Sequence, residues 1–130
     1  VDSLAAFVTA RGLATLPAGE RPTVAAAPAF DLGFASMRAS PPLEATPVTS
    51  WFYLTDARAD APAAEQDAWL ERFNHASLAN LAAHEAIPGH WLHATYMRRT
   101  PGKVRRIWIG LNAFPQPSSG QDGWAHYAEQ

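Results

Sequence analysis

The most extended regular pattern in the chain is a helical one over residues 64–87. Its large apolar residues recur at intervals that gather them onto one side of a helix. These residues are Trp69, Leu70, Phe73, Leu78 and Leu81. Pro88 and Gly89 interrupt the pattern, which resumes over residues 90–99 and ends at Thr100-Pro101-Gly102. The sequence therefore predicts a long helix, a break at Pro88-Gly89 and a second, shorter helix.

Upstream of this region the pattern is less regular. Residues 2–13 have apolar positions at helical spacing and predict a short helix. Residues 17–47 are rich in Ala, Pro and Gly, which excludes long helices. Within them, residues 24–30 fit either a strand or a loop, and residues 37–47 should be extended and irregular. The aromatic, β-favouring run at residues 49–55 predicts the clearest strand.

Downstream, residues 103–111 predict another short helix, residues 114–120 a loop, and residues 122–130 a last helix. Asp122, His126 and Glu129 fall on one side of that last helix. The fold class expected is α+β, mainly helical, with a small sheet. At 130 residues the chain fits one domain, and its size and helical end lead us to expect a fragment of a longer chain.

Composition narrows the possible partners. The net charge of −2 gives no basic footprint for nucleic acid. No apolar run approaches the roughly 20 residues that a membrane span requires. The absence of cysteine excludes disulfides and thiolate metal sites. Compartment and oligomeric state cannot be predicted from these properties.

The candidate chemistry lies at residues 84–90, His-Glu-Ala-Ile-Pro-Gly-His. The familiar zinc motif H-E-x-x-H places its histidines four residues apart on one helix face. Here His84 and His90 are six residues apart, which on a straight helix is a rotation of roughly 240°. The imidazoles can meet only if the helix breaks between them, and Pro88 with Gly89 supplies such a break. The sequence therefore predicts a metal site with Glu85 as its own base.

These residues, with Gly-Trp-Ala-His-Tyr-Ala-Glu at 123–129, resemble the bacterial domain-of-unknown-function family 885. That family has the pattern H-E-x-x-P-G-H followed by E-G-W-A-x-Y-x-E and is grouped with the thermolysin-like gluzincin metallopeptidases. The resemblance implies a gluzincin-like catalytic core in which His84 and His90 bind Zn²⁺. The third ligand would be Asp122, where the family has Glu, with Glu129 as the alternative.

The same resemblance implies hydrolysis of a peptide substrate. Zinc would polarise the scissile carbonyl and acidify a water, and Glu85 would accept the proton and pass it to the leaving amine. Tyr127, His126 and His93, in that order, are candidates for the oxyanion partner. Trp51 begins the segment at residues 51–55 whose position matches the edge strand that pairs with substrate in the thermolysin-like group.

Several alternatives stay open at this stage. The chain could be a non-catalytic or truncated remnant, or its zinc could be structural, with His93 or Glu129 as a fourth ligand. Asp122 could instead cap the last helix. The basic run that begins at Arg98 and Arg99 is expected to be a solvated face, with a substrate-carboxylate clamp as the minority interpretation.

Overall fold

The computed structural model describes residues 1–31, 33–104, 106 and 118–130. Helices predominate over a small sheet, which confirms the expected α+β class. The helices are α1 (Asp2–Ala10), α2 (Ala63–Leu70), α3 (His75–Glu85), α4 (His90–Arg99) and α5 (Ser118–Ala128), with a short 3₁₀ turn at Glu71–Phe73. The strands are β1 (Thr23–Ala26), β2 (Ala35–Arg38) and β3 (Trp51–Leu54).

The sheet has the strand order β1-β3-β2. β3 pairs in parallel with β1 and antiparallel with β2, so that Trp51 lies between Thr23 and Arg38. The prediction of a strand at residues 49–55 is confirmed. The prediction that this segment is an edge strand is wrong, because β3 is hydrogen-bonded on both sides. The edge strand beside the helices is β2, which starts before the stretch at 37–47 that was expected to be irregular.

The long helix predicted over residues 64–87 is divided in two. Asn74 has an extended backbone, and its side chain accepts a hydrogen bond from the Ser77 backbone N–H at 3.0 Å. An asparagine in this role satisfies a free amide at the start of a helix, so α3 begins anew after the 3₁₀ turn. The apolar pattern alone cannot detect this division, because it continues without interruption through Asn74, although only α3 contributes to the core while Trp69 and Phe73 pack on Phe34.

The other helix ends follow local chemistry. α1 ends just before Gly12, whose φ of 63° is the left-handed conformation that glycine favours. α4 ends at Arg99, and Thr100 after it has an extended backbone, as the predicted stop at Thr100-Pro101-Gly102 requires. Most of the helix predicted at 103–111 and the first part of the loop predicted at 114–120 lie outside the described residues. The rest of that loop, residues 118–120, is instead the first turn of α5.

The core lies where α1, β3, α3 and α4 meet. Its buried members include Ala5, Val8, Phe52, Ala82, Ala86, Ile87, Trp91 and Leu92. Ala86 and Ile87, which connect α3 to α4, are each 0% exposed. Burial of the Ile87 side chain alone contributes on the order of 2 kcal/mol. The break between the two helices is therefore anchored in the core. Among the described residues, no helix is long and apolar enough to cross a membrane.

Candidate metal centre

The backbone between α3 and α4 forms a tight, well-bonded turn. The backbone N–H of Ile87 donates to the Ala82 carbonyl at 3.0 Å, and that of Gly89 donates to the Ala83 carbonyl at 2.9 Å. A Cβ atom on Gly89 would overlap the carbonyl oxygens of Ala83 and His84. α3 ends at Glu85 and α4 begins at His90, so the break predicted at Pro88-Gly89 is confirmed.

This turn brings the two histidines together. The rings of His84 and His90 are 4.8 Å apart between centroids and nearly perpendicular, at 88°. Asp122 of α5 reaches the same place, with its Oδ1 3.4 Å from Nε2 of His90. One donor atom from each of these residues lies within 4.8 Å of the others. Asp122 lies inside α5 rather than before it, so the alternative that it caps this helix is wrong.

The cluster fits zinc by its donor types and spacing. Bonds of about 2.0–2.2 Å in a tetrahedral arrangement separate neighbouring donor atoms by roughly 3.4 Å. The contact between His90 and Asp122 has this length, at 3.4 Å. Two imidazoles and one carboxylate would leave a fourth position for water or substrate, which is the ligand count of hydrolytic zinc sites.

A second carboxylate contacts His84 from the far end of α5. Oε1 of Glu129 is 2.6 Å from Nδ1 of His84 and 2.9 Å from Nδ1 of His126. Oε2 of Glu129 accepts a hydrogen bond from the Asn80 amide at 3.1 Å. The hydrogen bond from His84 holds the pKa of Glu129 below its ordinary value. Both acids proposed as the third ligand therefore lie beside a histidine: Asp122 beside His90, and Glu129 beside His84.

Glu85 lies in the wall of a cavity of 560 Å³ between β2, α4 and α5. The polar residues of the two last helices that line it are His90, His93, Gln121 and Asp122. Burial raises the pKa of the Glu85 carboxyl, and His84 and the Met37 backbone N–H offset this only in part. Burial likewise lowers the pKa of His90 and His93, which favours their neutral, metal-binding or hydrogen-bonding forms.

Three other residues predicted for the site are not part of the cavity wall. The Trp51 ring stacks on Tyr53 at 6.0 Å and is not part of the cavity wall. Tyr127 is 69% exposed and packs near Trp124, also outside the cavity wall. His126 does not line the cavity, but it contacts Glu129 and its ring lies 5.0 Å from that of His84. The structure thus brings together His84, Glu85, His90, His93 and Asp122, places His126 beside His84, and leaves Trp51 and Tyr127 apart.

Sequence reasoning missed two residues that hold the site. Asn80 lies four residues before His84, and one turn of helix puts both on one face. That spacing was a usable signal. The second residue is Trp124 of α5. Its indole N–H donates a hydrogen bond to the Pro88 carbonyl at 2.8 Å and so joins α5 to the break between α3 and α4. No pattern in the sequence indicates a contact between residues so far apart in the chain.

Fold and site together define a mainly helical α+β protein with a two-histidine, one-aspartate cluster beside a half-buried glutamate. The chain belongs to the family described as bacterial protein of unknown function (DUF885), whose family model matches residues 1–130. A search of curated protein sequences finds no significant match.

One solved structure is similar, described as that of "a putative lipoprotein of unknown function" from Shewanella oneidensis. It has a TM-score of 0.73 and 26% sequence identity, and the match covers 98% of this chain and 21% of that chain. The present chain therefore spans about a fifth of the length of that relative.

Proposed function

We propose that this chain carries the zinc-binding catalytic core of a gluzincin-like peptidase. His84, His90 and Asp122 hold the Zn²⁺, and Glu85 is the general base. The observation that carries the proposal is the convergence of both imidazoles and Asp122 across the α3–α4 break, next to the half-buried Glu85 in a cavity wall.

A bound zinc would supply polarisation of a carbonyl and a more acidic water. Glu85 would accept a proton at its carboxylate from a water that attacks the carbonyl carbon, and would return it to the amine nitrogen as the C–N bond breaks. Its raised pKa suits this exchange, because a base whose pKa is closer to neutrality is also a better acid in the second half of the reaction. His93, kept neutral by burial, is able to donate a hydrogen bond to the substrate.

A peptide is the substrate class that the cavity favours. Ala35, Ser36, Met37 and Arg38 of β2 form one side of it, and β2 is one of the two edge strands of the described sheet. An extended peptide can add to such an edge through backbone hydrogen bonds. We therefore propose that β2, rather than the segment that begins at Trp51, is the strand that pairs with the peptide substrate. Tyr127 and His126 remain proposed oxyanion partners, and both would have to move toward the cavity.

Metal analysis tests the ligand set. The purified protein is expected to bind about one zinc per chain, and His84→Ala and Asp122→Ala should each lose it. His75→Ala is the matched control, since His75 is an exposed histidine on the same helix and should keep the zinc. Wild-type protein that takes up no zinc, or His84→Ala protein that keeps it, would contradict the proposal.

Catalysis is tested separately with a peptide library and Glu85→Gln. This variant should keep the zinc and lose hydrolysis, because the amide cannot accept the proton. Hydrolysis that persists in Glu85→Gln would remove Glu85 as the base. Zinc bound by four protein ligands in X-ray absorption spectra, with no hydrolysis by the wild type, would favour a structural metal site instead.

A further inference from the structure

We infer that Glu129 is a positioning residue for His84: it fixes the Nδ1–H tautomer, so that Nε2 is the nitrogen presented to His90 and Asp122. The positioning role of Glu129 rests on the proposed zinc site, whereas the contact between Glu129 and His84 does not depend on it. It replaces the interpretation of Glu129 as an alternative third ligand.

The first argument is a distance. Oε1 of Glu129 is 2.6 Å from Nδ1 of His84, whereas two donor atoms on one zinc lie roughly 3.4 Å apart. The shorter value is that of a charge-assisted hydrogen bond. A carboxylate can only accept, so the proton is on Nδ1 of His84. The lone pair of the neutral ring is then on Nε2.

The second argument is that Glu129 is itself fixed. Its Oε2 accepts from the Asn80 amide at 3.1 Å, and Asn80 lies one helical turn before His84 on α3. The side chain is only 21% exposed. Two contacts from one face of α3 therefore hold both carboxylate oxygens, which sets the position of α5 against α3.

His126 makes the third side-chain contact with the Glu129 carboxylate. Its Nδ1 is 2.9 Å from the same Oε1, and its side chain is 69% exposed. It therefore contacts Glu129, the residue just after α5, from the solvent side. His84, His126 and Glu129 could also be regarded as a ligand set, since their donor atoms lie within 4.8 Å of one another. The experiment below separates that possibility from the positioning role.

The tautomer can be measured in metal-free protein by nitrogen-15 NMR of labelled histidines, with His84 assigned from His84→Ala. We expect the Nδ1–H form of His84 to dominate in the wild type and to lose its dominance in Glu129→Ala. Glu129→Gln should restore it, because the amide oxygen still accepts. His75→Ala is the control, because His75 is an exposed histidine on the same helix, and it should leave the His84 tautomer unchanged. A wild-type tautomer in Glu129→Ala would overturn the inference.

Zinc titration supplies the second measurement. Loss of an outer carboxylate partner weakens metal binding by about 10–100-fold, so we expect this from Glu129→Ala and a smaller loss from Glu129→Gln. Asp122→Ala should lose far more. If Glu129→Gln loses zinc as fully as Asp122→Ala while keeping the tautomer, Glu129 is a ligand and the inference fails. Protein that binds no zinc would instead contradict the proposed function, and the NMR result would still decide the role of Glu129.

Discussion

At Gly89 the backbone passes so close to the end of α3 that a side chain would overlap the carbonyl oxygens of His84 and Ala83. Gly89→Ala should therefore destabilise the fold by roughly 3 kcal/mol or more, since the carbonyls at a helix end cannot retreat cheaply. Chemical denaturation measures this loss. Gly102→Ala is the matched control, because a Cβ there meets nothing within 4 Å. Equal stability of the two variants would contradict the close approach.

The residue scale is also where the sequence was most informative. The six-residue spacing of His84 and His90, with Pro88 and Gly89 between them, was sufficient to predict the break and the meeting of the imidazoles. It was not sufficient to separate Asp122 from Glu129, because both lie on one side of a helix whose distance from α3 is not encoded locally. Only the packing of α5 shows that the two acids make different contacts.

At the scale of elements, the hydrogen bond from Trp124 to the Pro88 carbonyl joins α5 to the segment between α3 and α4. Trp124→Phe keeps an aromatic ring and removes the donor, which should cost about 1 kcal/mol of stability. Because the same bond holds the turn between His84 and His90, we also expect weaker zinc binding. Thermal unfolding and zinc titration measure the two effects.

Trp69→Phe is the control for that experiment. Trp69 donates an equivalent bond to the Thr55 carbonyl at 3.0 Å, away from the cavity. The Trp69→Phe variant should lose about as much stability as Trp124→Phe and should keep the zinc affinity of the wild type. If both variants bind zinc like the wild type, the bond from Trp124 does not position the site.

Elements were predicted unevenly, for physical reasons. β3 was evident because its aromatic, β-favouring residues are concentrated in a short run. β2 was missed because Ala35, Ser36, Met37 and Arg38 have no strong preference for strand, and it is their pairing with β3 that makes them one. The division at Asn74 was missed because one capping side chain outweighed a continuous apolar pattern.

At the scale of the whole molecule, Glu20 ties the segment after α1 to the end of α4. It forms salt bridges with Arg98 at 2.6 Å and Arg99 at 2.7 Å, and the Arg98 side chain is only 10% exposed. The expectation of a solvated basic face is therefore wrong for Arg98. Sequence could not predict this pair, because its members are separated by 78 residues.

Glu20→Gln should lower stability at neutral pH by about 1–2 kcal/mol, since it leaves a nearly buried guanidinium without its charge partner. Burial acts to raise the pKa of Glu20, but the hydrogen bonds and charges of Arg99 and Arg98 outweigh it, so the folded pKa is lowered. The carboxylate then stabilises the fold above its unfolded pKa, and this contribution is lost as pH falls through the folded pKa.

The difference in denaturation midpoint between the wild type and Glu20→Gln should therefore become smaller as the pH is lowered. Asp60→Asn, which breaks an exposed salt bridge with Arg58, should change stability little at any pH. A gap that widens as the pH falls would contradict the assignment to Glu20.

The buried turn between α3 and α4 also has a consequence for hydrogen exchange. The amides of Ile87 and Gly89 lie outside regular helix, yet both are bonded to α3 carbonyls beneath a 0%-exposed Ile87 side chain. Deuterium can replace these protons only when the core itself opens, so their protection should approach that of global unfolding. An irregular segment that exchanges as slowly as the core would hold the spacing of His84 and His90 constant throughout the lifetime of the folded state.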